Sequence, residues 1–311
     1  MDRTRRAGGF LLDGQMILRR SRVLSSLSID YEKLKEMVRY DAKATDVGRH
    51  FIQLTAKALD FLSASSTQIA LVSKVPGKKY FSFSIDKGKK LSRAVNQALF
   101  DPRLKHRLNY LEEGLAELPV PERARFLYTV AMAYCCASDL LKTRDQKTPA
   151  TFFECLIAHL LARSFGANPK TQIEVLHLEE EEASMLPTDF IFDLGQGKPK
   201  YHVPVKTSTR ERVIQVFAHQ RVLDGVHGFG TYKGMLICLT ETKLDHENRE
   251  VIEICVPKQW VLYYKFIAAM HRVYYFDVPA RYSELARGTP PIPIASFSGF
   301  FDEVKDLAAS H

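Results

Sequence analysis

The sequence predicts an α/β protein, a mixed β-sheet core with helices on its faces and a mainly helical N-terminal part ahead of it. Three observations predict this. From about residue 148 to 278 the apolar pattern runs helix, three strands, helix, two strands, helix, strand. Before that, helical spacing dominates. The chain is 311 residues long, with 46% hydrophobic and 26% charged residues. That is enough to bury a sizeable core, and it excludes a mostly disordered or collagen-like chain.

In order along the chain, residues 1–27 are basic, weakly patterned and read as an arm. Residues 29–64 read as helices, because Tyr31, Leu34 and Val38, then Phe51, Leu54, Ala58 and Leu62, recur at helical spacing. Strands at Gln68–Val75 and Lys79–Ile85 flank the turn Pro76-Gly77. Between residues 74 and 93 lie Lys74, Lys78, Lys79, Lys87, Lys89, Lys90 and Arg93, with Tyr80, Phe81 and Phe83 among them. Such a basic-aromatic hairpin suits a phosphate backbone, and equally a sheet edge guarded by lysines. Helices are expected at 89–99, 103–117 and 121–142, and another opens with Thr148 as N-cap and Pro149 at the first helical position, ending at Gly166. Strands follow at Gln172–Leu178, Asp189–Leu194 and Tyr201–Lys206, then a helix at 210–224. Strands at Lys233–Thr240 and Glu250–Val256, a helix from Pro257 to about Met270 and a strand at Arg272–Asp277 complete the pattern. The chain reads as one domain. Residues 1–145 form a helical elaboration with the basic hairpin, 146–278 an α/β core and 279–311 a C-terminal segment.

The 44 lysines and arginines outnumber 36 acidic residues, for a net charge of +8. This balance favours a polyanionic partner, most often nucleic acid, and also occurs in soluble proteins that are simply basic. No apolar run reaches the ~18 residues of a membrane helix, and Phe10-Leu11-Leu12 is too short for a secretory core, so no membrane association is expected. The five cysteines, Cys135, Cys136, Cys155, Cys238 and Cys255, form no CxxC and sit in apolar runs. They read as reduced, buried thiols of a cytosolic protein.

The chemically informative window is the hairpin from Pro187 to Lys206, turning at Gly195-Gln196-Gly197. Asp189 opens its first strand and Lys206 closes its second, seventeen positions on, so an antiparallel turn brings them together. Metal-dependent phosphodiester hydrolysis needs this pair. A carboxylate holds Mg²⁺ against the phosphate, and a lysine orients the attacking water or offsets charge on phosphorus. An exposed strand-end ion pair would give the same pattern.

Lys206 leads through Thr207-Ser208-Thr209 into Arg210-Glu211-Arg212 at a helix start. Arginine bonds guanine O6 and N7 in bidentate fashion, and glutamate accepts from the cytosine amine. Two arginines at the positive end of a helix dipole point to an external anion or base edge.

On these residues the chain resembles the type II restriction endonucleases that read CCGG or CCNGG, a branch of the PD-(D/E)xK nuclease superfamily. In that branch an Arg-(Asp/Glu)-Arg triplet begins four residues past the lysine, as Arg210, Glu211 and Arg212 do here. The resemblance implies a PD-(D/E)xK restriction-endonuclease-like fold and an upstream helix glutamate, matched by Glu154. Some members also carry a glutamine that reaches the minor groove, for which Gln146 is the candidate. It further implies Mg²⁺ as cofactor at Asp189 and Glu154, double-stranded DNA as substrate, a palindromic site and a homodimer or higher homo-oligomer. A cognate DNA methyltransferase as genetic partner and the bacterial cytoplasm as location follow from the same resemblance.

Two positions depart from the pattern. Pro204 stands two before the lysine, where the wider superfamily has an acid. The branch supplies an acid thirteen or fourteen residues past the lysine, and here those residues are His219 and Gln220. Either Asp189 and Glu154 hold the metal beside a neutral neighbour, or Asp193 assists, or one metal suffices. The departures keep open a non-catalytic DNA-binding protein of this fold, and a repair nuclease that cuts by structure. Glu179-Glu180-Glu181-Glu182 reads as a solvated acidic loop, the glycine-rich Gly225–Gly230 lacks the context of a phosphate cradle, and Trp260 reads as core or a subunit contact.

Overall fold

Two mixed sheets organise the chain in the computed structural model, which describes residues 4–142, 144–176, 183–209, 212–289 and 291–309. The helices are α1 Thr4–Asp41, α2 Thr45–Ser65, α3 Tyr110–Glu113, α4 Val120–Leu141, α5 Lys147–Phe165, α6 Val213–His227, α7 Pro257–Phe266 and α8 Phe300–Ala308. The first sheet uses β1 Thr67–Ser73, β2 Tyr80–Ile85, β3 Lys90–Leu91, β4 Val95–Asn96, β10 Thr242–Asp245 and β11 Glu250–Glu253. The second uses β5 Lys170–Leu176, β6 Ala183–Asp193, β7 Lys200–Val203, β8 Val205–Lys206, β9 Tyr232–Cys238, β12 Arg272–Tyr275 and β13 Ile294–Ser296.

The second sheet runs β13-β12-β9-β7-β6-β5, with β8 also on β9. Its β5-β6-β7 part is antiparallel and its β7-β9-β12-β13 part parallel. Helices cover both faces, as the alternation of elements predicts. One core joins α1, α2, α4, α5 and α8 to β2 of the first sheet and to β6, β7 and β9 of the second, through residues such as Phe51, Phe152, Phe192 and Phe300. A second cluster seats α6 and α7 on the opposite face, with Trp260 fully buried against Phe217 and Tyr282. All five cysteines are buried and free.

Several elements differ from the sequence reading. The N-terminal arm is helical from Thr4 on. The expected helix at 89–99 is instead the short strands β3 and β4. Here Ser92 bonds both Ser82 and the Phe83 amide, and Arg93 forks onto Asp139 of α4, so tertiary bonds override local preference. The helix expected at 103–117 breaks into short turns, with Gly114 at φ +129°, a conformation closed to other residues. α5 starts before Thr148 because the Asp145 carboxylate accepts the Thr148 amide at 3.0 Å. β11 leaves the core sheet and pairs in parallel with β1.

The basic-aromatic hairpin is also corrected. Tyr80, Phe81 and Phe83 are buried, and Lys78 is held by Glu253 and Asp277 at 3.0 and 2.8 Å. The rings are core and do not stack on bases. Glu179–Glu182 lie outside the described residues. No described helix is long and apolar enough to cross a membrane.

Candidate active site

Phe190 and Phe192 of β6 face α5, where Phe192 meets Phe165 at 5.5 Å. Strand alternation therefore turns Asp189 to the other face, together with His202, Pro204 and Lys206 of the neighbouring chain. The β6–β7 register pairs Phe190 with Val203, which sets Asp189 opposite Pro204. Proline has no N–H for the ladder, and β7 ends at Val203. The chain stays on β9, which β7 already pairs in the same register (His202 with Gly234), so that Val205 pairs with Ile237 and Lys206 with Cys238. Past Pro204 the Val205 amide meets Asp189 Oδ2 (2.8 Å), and Lys206 Nζ reaches the same oxygen (2.6 Å). Both side chains remain about a fifth exposed. Both bonds fall on Oδ2, which leaves Oδ1 for a cation among the described residues.

Glu154 approaches from α5, half-buried. Burial pushes its carboxyl up to about 7, the Asp189 charge adds to the rise and Lys206 opposes it. Two carboxylates and one ammonium whose charges act on one another sum to a net negative charge, which a divalent ion would relieve. Two oxygen donors suit Mg²⁺, which keeps several waters. Among the described residues no group of three or more His, Cys, Asp or Glu side chains could hold a metal ion. Asp193 sits four residues along β6, about 13 Å at ~3.3 Å per residue, and is engaged with Lys200 (3.0 Å) and the Gly195 amide (3.1 Å).

The two residues in the position of the branch's downstream acid separate. His219 is half-buried on α6 and senses Asp189 and Lys206; burial, the largest influence, lowers its pKa. Gln220 is 1% exposed and points into the protein. Its amide nitrogen donates to Asp224 (3.0 Å) and the Tyr232 carbonyl (2.7 Å), so its oxygen faces His202 Nδ1 (3.1 Å). This arrangement makes Nδ1 the protonated nitrogen of His202 and places its ring 6.4 Å from that of His219. Gln220 therefore does not reach Asp189 directly; it buttresses the layer beneath His219.

The segment after Lys206 is anchored on a residue that sequence reasoning missed. Glu241, 1% exposed beyond the end of β9, accepts from Ser208 Oγ (2.9 Å), the Thr209 amide (3.0 Å), the Thr209 hydroxyl and Tyr275 OH (3.1 Å). Arg212 is exposed at the N-cap of α6, its amide on the Thr209 carbonyl at 2.8 Å. Gln146 is exposed at the N-cap of α5, two turns before Glu154. Arg210 and Glu211 lie outside the described residues. The sequence signal for Glu241 was only an acid directly after a strand; for His202 it was a polar residue inside an apolar one.

A mixed sheet with helices on both faces and an acid–lysine pair at a broken strand end is a restriction-endonuclease fold. The solved structure of the type IIP restriction endonuclease Kpn2I matches it with a TM-score of 0.75 at 25% identity, over 91% of this chain and 99% of that one. The restriction endonuclease PspGI in complex with substrate DNA aligns with a TM-score of 0.40 at 17% identity, over 67% and 80% of the two chains. No family model matches the sequence, and no curated protein does.

Proposed function

We propose that the protein is a Mg²⁺-dependent type II restriction endonuclease that cuts double-stranded DNA at a palindromic site with a CCGG or CCNGG core. The likeness to Kpn2I supports a DNA-cleaving nuclease. The observation that carries the finer reading is the partly open Lys206–Asp189 contact at 2.6 Å, whose two charges both act on the Glu154 carboxyl. In this reading Asp189 and Glu154 hold the metal. Bound there, Mg²⁺ would polarise the scissile phosphate and acidify a water. Lys206, fixed on Asp189, orients that water and offsets charge building on phosphorus. His219 borders the water shell as a neutral neighbour where relatives place an acid. Arg210, Glu211 and Arg212 read adjacent C·G pairs in the major groove, and Gln146 reaches the minor groove.

A palindromic site calls for a two-fold assembly, so the working form is a homodimer or a higher oligomer. The test is incubation with plasmid DNA and Mg²⁺, followed by sequencing of the ends. Discrete ends at one palindrome support the proposal, and heterogeneous ends indicate structure-directed cutting. Specific binding without cutting would indicate a protein that kept the fold and lost the activity. Pro204 and His219 favour that last reading.

A further inference from the structure

We infer that Glu241 is a positioning residue that sets the base-reading triplet relative to the lysine of the active site, and thereby the sequence discrimination of the enzyme. The inference rests on the nuclease reading above.

From Pro204 to Thr207 the chain is strapped to β9 by backbone bonds: Ile237 N–H to the Pro204 carbonyl (3.0 Å), Leu239 to Lys206 (3.0 Å) and Thr240 to Thr207 (3.2 Å). There the ladder stops, one residue short of Ser208. The Glu241 side chain takes over, binding both residues that separate Thr207 from Arg210: Ser208 through its hydroxyl, and Thr209 through amide and hydroxyl together. Thr209 in turn accepts the Arg212 amide, which ties the far end of the triplet to the same point. On its other side the carboxylate takes Tyr275 OH from β12, the neighbour of β9 in the sheet. So Thr209 and Arg212, on either side of Arg210 and Glu211, are registered to the sheet through one buried carboxylate.

A buried carboxylate that loses donors is costly, and the bonds it accepts are among the stronger ones. The loop and the acid therefore hold each other. The Asp189–Lys206 contact has separate supports, the Val205 amide and the β8–β9 pairing. Loosening Glu241 thus frees the reading residues more than the cutting ones. A misplacement of about 1 Å is enough to degrade contacts of this kind.

The full-length wild type is first used to map the cut site on plasmid DNA with Mg²⁺. Duplexes carrying that site, and each single base-pair change within it, are then cut under single-turnover conditions by wild type, Glu241→Gln and Thr209→Val. The expected result is folded variants, judged by cooperative melting, whose ratio of cognate to altered-site rates falls at least about tenfold, on the scale of one lost base contact. The ratio compares two substrates on one protein, so a lower folded fraction does not move it. Folded variants that keep the wild-type ratio overturn the inference alone, whatever their absolute rate. If Glu241→Gln does not fold, Thr209→Val decides, since it removes one hydroxyl and leaves the amide bond. Wild type that yields no discrete ends overturns the nuclease reading, and this inference with it.

Discussion

Pro204 stands opposite Asp189 one step past the last β6–β7 ladder pair, where backbone pairing gives way to bonds on the Asp189 carboxylate. The β6–β7 ladder ends at the Phe190–Val203 pair, while the strand keeps its register on β9 through Pro204, whose carbonyl accepts the Ile237 amide. Beyond it, the Val205 amide and the Lys206 ammonium both meet the aspartate.

Asp189→Ala and Lys206→Ala should each abolish cleavage while leaving specific DNA binding in calcium intact. The reason is that they meet at 2.6 Å at the site's centre and the reading residues are anchored elsewhere. Gel-shift and plasmid-cutting assays on the same preparations check this. Cutting at the wild-type rate would remove both residues from the mechanism.

Glu154→Gln should change how stability depends on pH. The Glu154 carboxyl is raised to about 7, first by burial and then by Asp189, so the folded state holds its proton where the unfolded chain has lost it. Wild type therefore loses stability as pH rises from the ordinary glutamate range to about 7. Without divalent metal, the variant should be the more stable protein above that pH, by on the order of 2 kcal/mol after discounting for the half-open site, with no difference at pH 4. Magnesium should raise the melting temperature of wild type at pH 8 and do so much less for the variant. Superimposable pH–melting curves would contradict the placement of Glu154.

His219→Glu would restore an acid at the position where the resembling branch has one. His219 already senses Asp189 and Lys206 from α6, so the Mg²⁺ concentration for half-maximal cutting should fall several-fold as a third oxygen donor joins. Magnesium titration of cleavage measures it, and an unshifted midpoint would place residue 219 outside the water shell.

Arg212→Ala should cost about 1–3 kcal/mol of discrimination between the site and its single-base variants. The side chain is exposed at the N-cap of α6, free to reach a groove. Competition binding against random duplex gives the answer; an equal loss on both duplexes would make it a phosphate contact.

Gly234→Ala should destabilise the fold by about 1–3 kcal/mol. A Cβ there would lie 2.7 Å from the Gln220 oxygen and 2.8 Å from Met270, displacing the amide that orients His202. Chemical denaturation checks this, and a neutral result would mean that Gln220 and Met270 move aside freely.

The alternation of elements from α5 to β12 was legible because buried strands and amphipathic helices carry strong periodicities. The hairpin geometry of Asp189 and Lys206 followed from turn chemistry alone. Pro204 was visible only as a mismatch with the resembling pattern. Glu241 and His202 were missed because a buried polar residue is recognisable by its partners, and those lie on other strands. The helices expected at 89–99 and 103–117 failed where side-chain bonds such as Arg93–Asp139 outweighed local pattern. The triplet Arg210-Glu211-Arg212 drew attention by charge and spacing; Arg210 and Glu211 lie outside the described residues.

The parallel pairing of β11 with β1 has a practical consequence for anyone wishing to trim this protein. A fragment beginning at residue 146 would lack β1, and with it Lys78, the cation that Glu253 and Asp277 share. Two acids would be stranded in a dry interior, beside an unzipped strand edge and the bared apolar flank of α5. Such a fragment should be recovered as aggregate, and a soluble, cooperatively melting one would show that the two halves are separable after all.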